Sequence, residues 1–345
     1  WGDSASFMRA ATENLTLHAA CTEDEEANFA ALALRQALET PGRTAALVTP
    51  NNALAQRVSA KLRRWGVDVA PSSGAPLAET APGILLDLLA ALTADDGDPV
   101  ALAALIKHPL ASFAGSDEAR VFESELLRGA RHRDRLADYL TDAQANAKSR
   151  PAAPLLEKLS EILRPLTDLL ASGSTTLDAF APKLAEAAEA IAQPLSPWLG
   201  RAGDTAVRLL HDLADSGDAL GAFSPRQTPR LMRAMMQGIS VPPDTDDDPR
   251  IAIWGPLEAR LQRRDVIVLG GLNEGQWPAP PPEDPFLSRG LRYDLGLPPS
   301  DARIGLAAHD FAQLANAPHI VFTRSQRADG QPTVASRWLW RLEAI

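Results

Sequence analysis

The sequence predicts an α/β protein whose parallel sheet is interrupted by an all-α segment. Three observations carry that expectation. Strand-like and helix-like patterns alternate over residues 13–95. Ala- and Leu-rich helical patterns then run without a convincing strand over 96–240. Strand patterns return over 250–345. One sheet assembled from both ends of the chain replaces two sheets that would each be incomplete.

The elements follow in order. Residues 13–21 (ENLTLHAAC) read as a strand. Thr22 is placed to cap a helix, Glu25 to complete a capping box, and acids fill the first turn. Ala27, Ala31, Leu34 and Leu38 give that helix its apolar stripe, and Pro41-Gly42 ends it. Residues 44–49 (TAALVT) form a short, wholly apolar strand of the parallel-sheet kind. A second helix follows Pro50-Asn51-Asn52, with Leu54, Val58, Leu62 and Trp65 on its inner face. Gly66 stops it, and 67–69 begin a further strand. The helical segment breaks near Gly97-Asp98-Pro99, at 151–154, at Gly173, at 194–197 and at 223–225, with no fixed period, so a solenoid is not expected. Residues 242–249 (PPDTDDDP) read as an acidic linker. Strands are expected at 251–254 and 266–269. A helix over 303–315 carries Ile304, Ala307, Phe311 and Leu314 on one face. A strand at 319–323 and a terminal helix complete the pattern.

Composition bounds the function. The chain has 345 residues, more than one typical core, and a net charge of −10. Contact with DNA or RNA therefore requires local basic strips. A single cysteine, Cys21, leaves no internal disulfide framework and no cysteine-built metal site, which suits a reducing cytoplasm. No apolar run approaches the ~20 residues that cross a bilayer, and no signal peptide is evident. The first residue is Trp1 and not Met, so a longer parent protein is expected.

Few catalytic motifs survive inspection. There is no G-x-x-x-x-G-K-[ST] phosphate loop; Pro41-Gly42-Arg43-Thr44 lacks both the glycine spacing and the lysine. Asp244, Asp246 and Asp248 alternate like a calcium loop, but Pro249 and Gly255 stand where Gly and Glu are needed. Pro243-Asp244 followed by Glu258-Ala259-Arg260 imitates a nuclease core with Arg in place of Lys, and Arg cannot give up its proton. The histidines show no metal-binding i, i+4 pair. His309-Asp310 reads as a structural hydrogen bond and Cys21 as a small buried residue. Three basic groups remain candidates for phosphate contact, against the alternative of solvated faces and ion pairs. They are Lys61, Arg63 and Arg64; Arg128, Arg131, Arg133 and Arg135 with His132; and Arg260, Arg263 and Arg264. The loop GLNEGQWP offers Asn273, Glu274 and Gly275 at a strand exit, followed by a proline-rich arm over 278–285.

Four stretches occur in a telling order: Gly255-Pro256-Leu257-Glu258-Ala259-Arg260, then DVIVLGGLNEGQWP over 265–278, then Thr323-Arg324-Ser325, then Ser336-Arg337-Trp338-Leu339. They resemble the B subunit of AddAB-type helicase–nucleases, bacterial double-strand-break repair machines, in its alphaproteobacterial form. AALVTPNNALAQRVSAKLRRWGVDV, over 45–69, is similar to the first strand–helix–strand of the second motor domain of UvrD-like helicases. The resemblance covers essentially the whole chain, most closely 44–78 and 250–345.

It implies a RecA-like, 2A-type domain interrupted by a 2B-type helical insertion. It puts Glu258 near a nucleotide ribose and Arg324 at a γ-phosphate, a role suited to a permanently charged bidentate fork. Active motors carry another arginine just after the strand ending in Val48; this chain has Thr49-Pro50 there. The implied function is a DNA-repair module that no longer hydrolyses ATP and that binds and guides single-stranded DNA. No cofactor is expected in this chain, although ATP and Mg could lie at an interface with a first motor domain that this sequence does not contain. The implied partners are an AddA-type helicase–nuclease subunit and single- and double-stranded DNA, in the cytoplasm and with no membrane. A nuclease domain and iron–sulfur cysteines would lie beyond residue 345. Two other functions compete: an assembly scaffold without DNA contact, and an independent nucleotide-binding enzyme domain using Asn273, Glu274 and Arg324.

Overall fold

Residues 12–128, 133–242, 248–280, 286–299 and 302–343 are described by a computed structural model of the chain. It divides into two compact units. One is built from 1–74 and 245–345, and the other from 75–244. The helical unit thus begins at residue 75, ahead of the boundary at 95 expected from the sequence.

The first unit holds a five-stranded, all-parallel sheet. Its strands are β1 (Leu15–Ala20), β2 (Ala45–Val48), β3 (Ile251–Trp254), β4 (Val266–Leu269) and β5 (His319–Ser325), in the order β1-β5-β4-β2-β3. β2 and β4 are buried at every residue, as expected of strands covered on both faces. Helix α1 (Glu23–Leu38) and helix α2 (Asn52–Arg63) cover one face through Ala27, Ala30, Leu34, Leu54, Val58 and Leu62. On the other face Ile267, Leu269, Trp277, Phe311, Phe322 and Trp338 pack together. There the ring of Phe311 stacks on Phe322 at 5.5 Å and meets Trp277 edge-on at 6.2 Å.

Both helix starts are written in the sequence. Thr22 Oγ1 accepts from the N–H of Glu25 at 3.2 Å. The Glu25 carboxylate reaches one residue past the cap, to the N–H of Cys21 at 2.8 Å. Asn51 caps α2 by accepting from Leu54 N at 3.1 Å. Two expectations fail locally. The strand at 67–69 does not form: the Val69 carbonyl is taken by the Ser59 hydroxyl at 2.6 Å, and only Pro71 bridges to Ile253. Trp65 is not on the inner face of α2 but half-exposed under the guanidinium of Arg35.

The second unit is helical. Its central helix α3 (Ala81–Ala94) buries Leu85, Leu86, Leu89 and Leu92, nearly all round. Gly83 is required there, because a Cβ would fall 1.8 Å from the Leu77 carbonyl oxygen. The long helices Ala153–Ser172 and Leu177–Ala192 pack around α3, and Thr228–Gln237 closes over it, its Thr228 hydroxyl donating to Ala90 O. A two-residue antiparallel ladder pairs Ala75–Pro76 with Ser240–Val241, so the unit's first strand and the strand near its end are neighbours. Among the described residues no helix is long and apolar enough to cross a membrane. The acidic stretch 243–247 and the prolines over 281–285 lie outside the described residues.

Candidate functional site

In open α/β sheets ligands bind outside the carboxyl ends of the strands. Here that edge is formed by the exits of β1, β5, β4, β2 and β3. Gly270 and Gly271 follow β4. Gly271 has φ +74, and a Cβ there would sit 3.2 Å from Thr49 Oγ1 and 3.4 Å from Gln276 Oε1. Gly270 would meet Leu54 Cδ2 at 2.8 Å. These glycines let the backbone turn where side chains from three elements converge.

The centre of this edge is a residue the sequence reading passed over as one acid among several. Glu26 is 2 % exposed. Its Oε1 accepts from Gly271 N at 2.8 Å and from the Thr323 hydroxyl at 2.9 Å. Burial pushes its carboxyl above the ordinary range, against the opposing pull of Gly271, Thr323 and the nearby Arg324. A signal was available: Glu26 stands four residues before Ala30 and eight before Leu34, so it lies on the inward stripe of α1.

Arg324, at the end of β5, is held by the loop. Its Nε donates to Asn273 Oδ1 at 3.1 Å, and its Nη2 to the Thr333 carbonyl at 3.2 Å. Asn273 is buried and donates to Ser325 Oγ at 3.1 Å. Asn273 therefore fixes the orientation of Arg324, whose Nη1 has no hydrogen-bond partner among the described residues. Glu274 is committed elsewhere. It accepts from Arg337 Nε at 3.0 Å and Arg337 N at 3.1 Å, and that pairing holds its carboxyl below the ordinary range. Gly275, at φ +86, has open space around it.

Glu258 follows the edge strand β3. Its Oε2 accepts from Gly255 N at 2.6 Å and Ser72 Oγ at 2.7 Å, which fixes its own turn. Three strand spacings of about 4.8 Å separate the exits of β3 and β5, roughly 14 Å. A ligand touching both Glu258 and Arg324 must span four strand ends.

Most of the basic candidates already have acidic partners. Arg260 forms a two-pronged pair with Asp310, at 2.7 and 2.9 Å, and Asp310 is buried. This also settles Asp310 as a structural partner of Arg260 and not of His309. Lys61 Nζ lies 2.6 Å from Asp24, and Arg63 lies 3.6 Å from Asp68. Arg133 pairs with Asp142 at 2.7 Å, donates to Leu126 O and lies over Tyr139. Arg128 pairs with Glu123 and Arg135 with Asp96. Arg131 and His132 lie outside the described residues. Arg64 and Arg263 are exposed, and Arg264 lies over Trp254. Cys21 is exposed, not buried as expected. Among the described residues no group of three His, Cys, Asp or Glu is placed to hold a metal.

A scan of protein-family models finds no match to the chain, and a search of the curated proteins finds none either.

Proposed function

We infer that the chain is a helicase-like module of a DNA-repair helicase–nuclease subunit of the AddAB type. In this reading it binds and guides single-stranded DNA during double-strand-break processing and recombination, and does not itself drive ATP hydrolysis. The α/β unit then corresponds to a RecA-like, 2A-type domain and residues 75–244 to a 2B-type insertion. The partners are an AddA-type subunit and DNA, and the setting is cytoplasmic.

One observation carries the reading. Thr323-Arg324-Ser325, which stands where the family has a Thr-Arg-Ala motif supplying a phosphate-binding arginine, ends a strand at the carboxyl edge of a parallel sheet. Arg324 is held there by Asn273 from GLNEGQWP. Loss of ATP hydrolysis is supported at the same edge. The Gly271 N–H and Thr323 hydroxyl, donors that a phosphate oxygen would use, are already taken by Glu26. No nucleophile–base pair stands beside them among the described residues. ATP and Mg, if present in the assembly, would reach Arg324 from a first motor domain.

Fluorescence anisotropy of single-stranded DNA with the chain, alone and with its partner subunit, tests this. Binding should weaken as log salt rises, with a slope of about 0.7 per phosphate neutralised, and ATP turnover by the chain alone should be absent. A chain that never contacts DNA in either form sinks the reading. Exposed Phe286, Tyr293 and Leu295 favour a second reading, a protein-assembly surface. That reading expects partner binding to survive the double charge reversal R263E/R264E. Arg260 is unsuited to this test because its loss strands a buried Asp310.

A further inference from the structure

At the opposite end of the same strands lies a recess. Its volume is about 560 Å³, a size that holds a small organic ligand. Thr44, Asp265 and Pro318, which lead into β2, β4 and β5, form one side of it, and Arg263 and Arg264 form its charged wall. The Thr44 N–H and hydroxyl, both 2.8 Å from Asp265 Oδ2, together with the nearby Arg43 and Arg264, hold the Asp265 carboxyl below the ordinary range, so its charge offsets one of the two guanidinium groups.

Arg264 is the telling residue. Its guanidinium carbon lies 5.0 Å from the ring centre of Trp254, and its Nε is buried with no hydrogen-bond partner among the described residues. An atom buried from solvent does not face an open recess, so Nε is not the ligand's donor. Stacking on Trp254 holds the guanidinium in place, and Arg264 lines the recess through its remaining atoms. Two guanidinium groups against one carboxylate leave the recess net positive in a chain of net charge −10, which favours an oxyanion. The recess is much larger than a bare anion. Its remaining wall offers the amides of Gln313 and Asn316 beside Leu314, which suits a polar organic body.

We propose that this recess binds a phosphate monoester on a small polar body, its phosphate held by Arg263 and Arg264. A monoester fits better than a strand phosphate, because its terminal phosphate can enter end-on, with nothing attached on the far side. The proposal assigns Arg263 and Arg264 to a monoester, where the DNA reading counted them among its strand contacts.

The test uses the full chain and calorimetric titration with ribose phosphate, thymidine monophosphate and an oligothymidylate lacking terminal phosphates. Both monoesters should bind. R263Q and R264Q should each weaken them at least about tenfold, and R230Q, on the helical unit, should leave them unchanged. R264K keeps the charge but removes the planar fork, so it should weaken binding as well, and it guards against a fold defect in R264Q. Monoesters that fail to bind, or that bind the wild type and both glutamine variants equally, overturn the proposal. Oligothymidylate binding that depends on these arginines, without monoester binding, overturns it too and assigns the site to a strand. Monoester binding without any oligothymidylate binding supports the site and counts against the DNA reading alone.

Discussion

Removing the Glu26 carboxylate would leave the Gly271 N–H and the Thr323 hydroxyl buried without an acceptor. Each orphaned donor costs about 1–3 kcal/mol, so Glu26→Ala is expected to lose about 2–4 kcal/mol of stability in a urea melt. Glu26→Gln keeps an acceptor oxygen and should lose less. The pH dependence has a definite sign. Burial raises the native carboxyl above its unfolded value, so the native state keeps its proton to higher pH than the unfolded chain does. The contribution of Glu26 is therefore greatest below the unfolded value of about 4.3 and is lost as pH rises through the interval up to the raised native value. The unfolding free energy of the wild type minus that of Glu26→Gln should fall as pH increases from about 4. A flat or rising difference would contradict the raised value. At this scale the sequence was legible for charge and not for pairing. Arg260, Lys61 and Arg133 looked like open cations because Asp310, Asp24 and Asp142 lie elsewhere in the chain and meet them only in the fold.

Helix starts and buried strands were the most readable elements, because their signals are local. Thr22 before a run of acids, and AALV or VIVL between turns, need no distant information. Thr22→Ala should cost about 1 kcal/mol through loss of the bond to Glu25 N. Measured by thermal melting against Glu39→Ala, which leaves that cap untouched, the Thr22 variant should be the less stable; equal melts would remove the cap from the account. The strand expected at 67–69 shows where local signals stop. Val69 is buried as a strand residue would be, yet a serine ten positions earlier takes its carbonyl, so burial there comes without a ladder. The loop after β4 was readable as a turn from its glycines. Its role was not, because Asn273 reaches Arg324 across 51 positions.

For the whole molecule, the division into one sheet-bearing and one helical unit was legible from the change in pattern, while the boundary at residue 75 was not. Ala75 and Val241 are ladder partners, so the sheet-bearing unit meets its interruption at two neighbouring points of backbone, about 5 Å apart. Replacing 75–241 by a short Gly-Ser linker should therefore leave a chain that still melts cooperatively by circular dichroism. A featureless, non-cooperative trace would mean that the sheet depends on the helical unit.

The same ladder bears on the order of events in folding. Thr44 and Asp265, which open the central strands β2 and β4, are 221 positions apart. Joining them from a fully unfolded chain closes a very long loop. If the helical unit forms first, its paired ends act as a short-circuit and leave about a quarter of that loop to close, two halvings worth ~1.2 kcal/mol. The helical unit, rich in local contacts, is also the kind that forms quickly. Pulsed hydrogen exchange during refolding should accordingly protect the amides of α3 before those of β2 and β4. The reverse order would mean that the sheet assembles without using this shortcut.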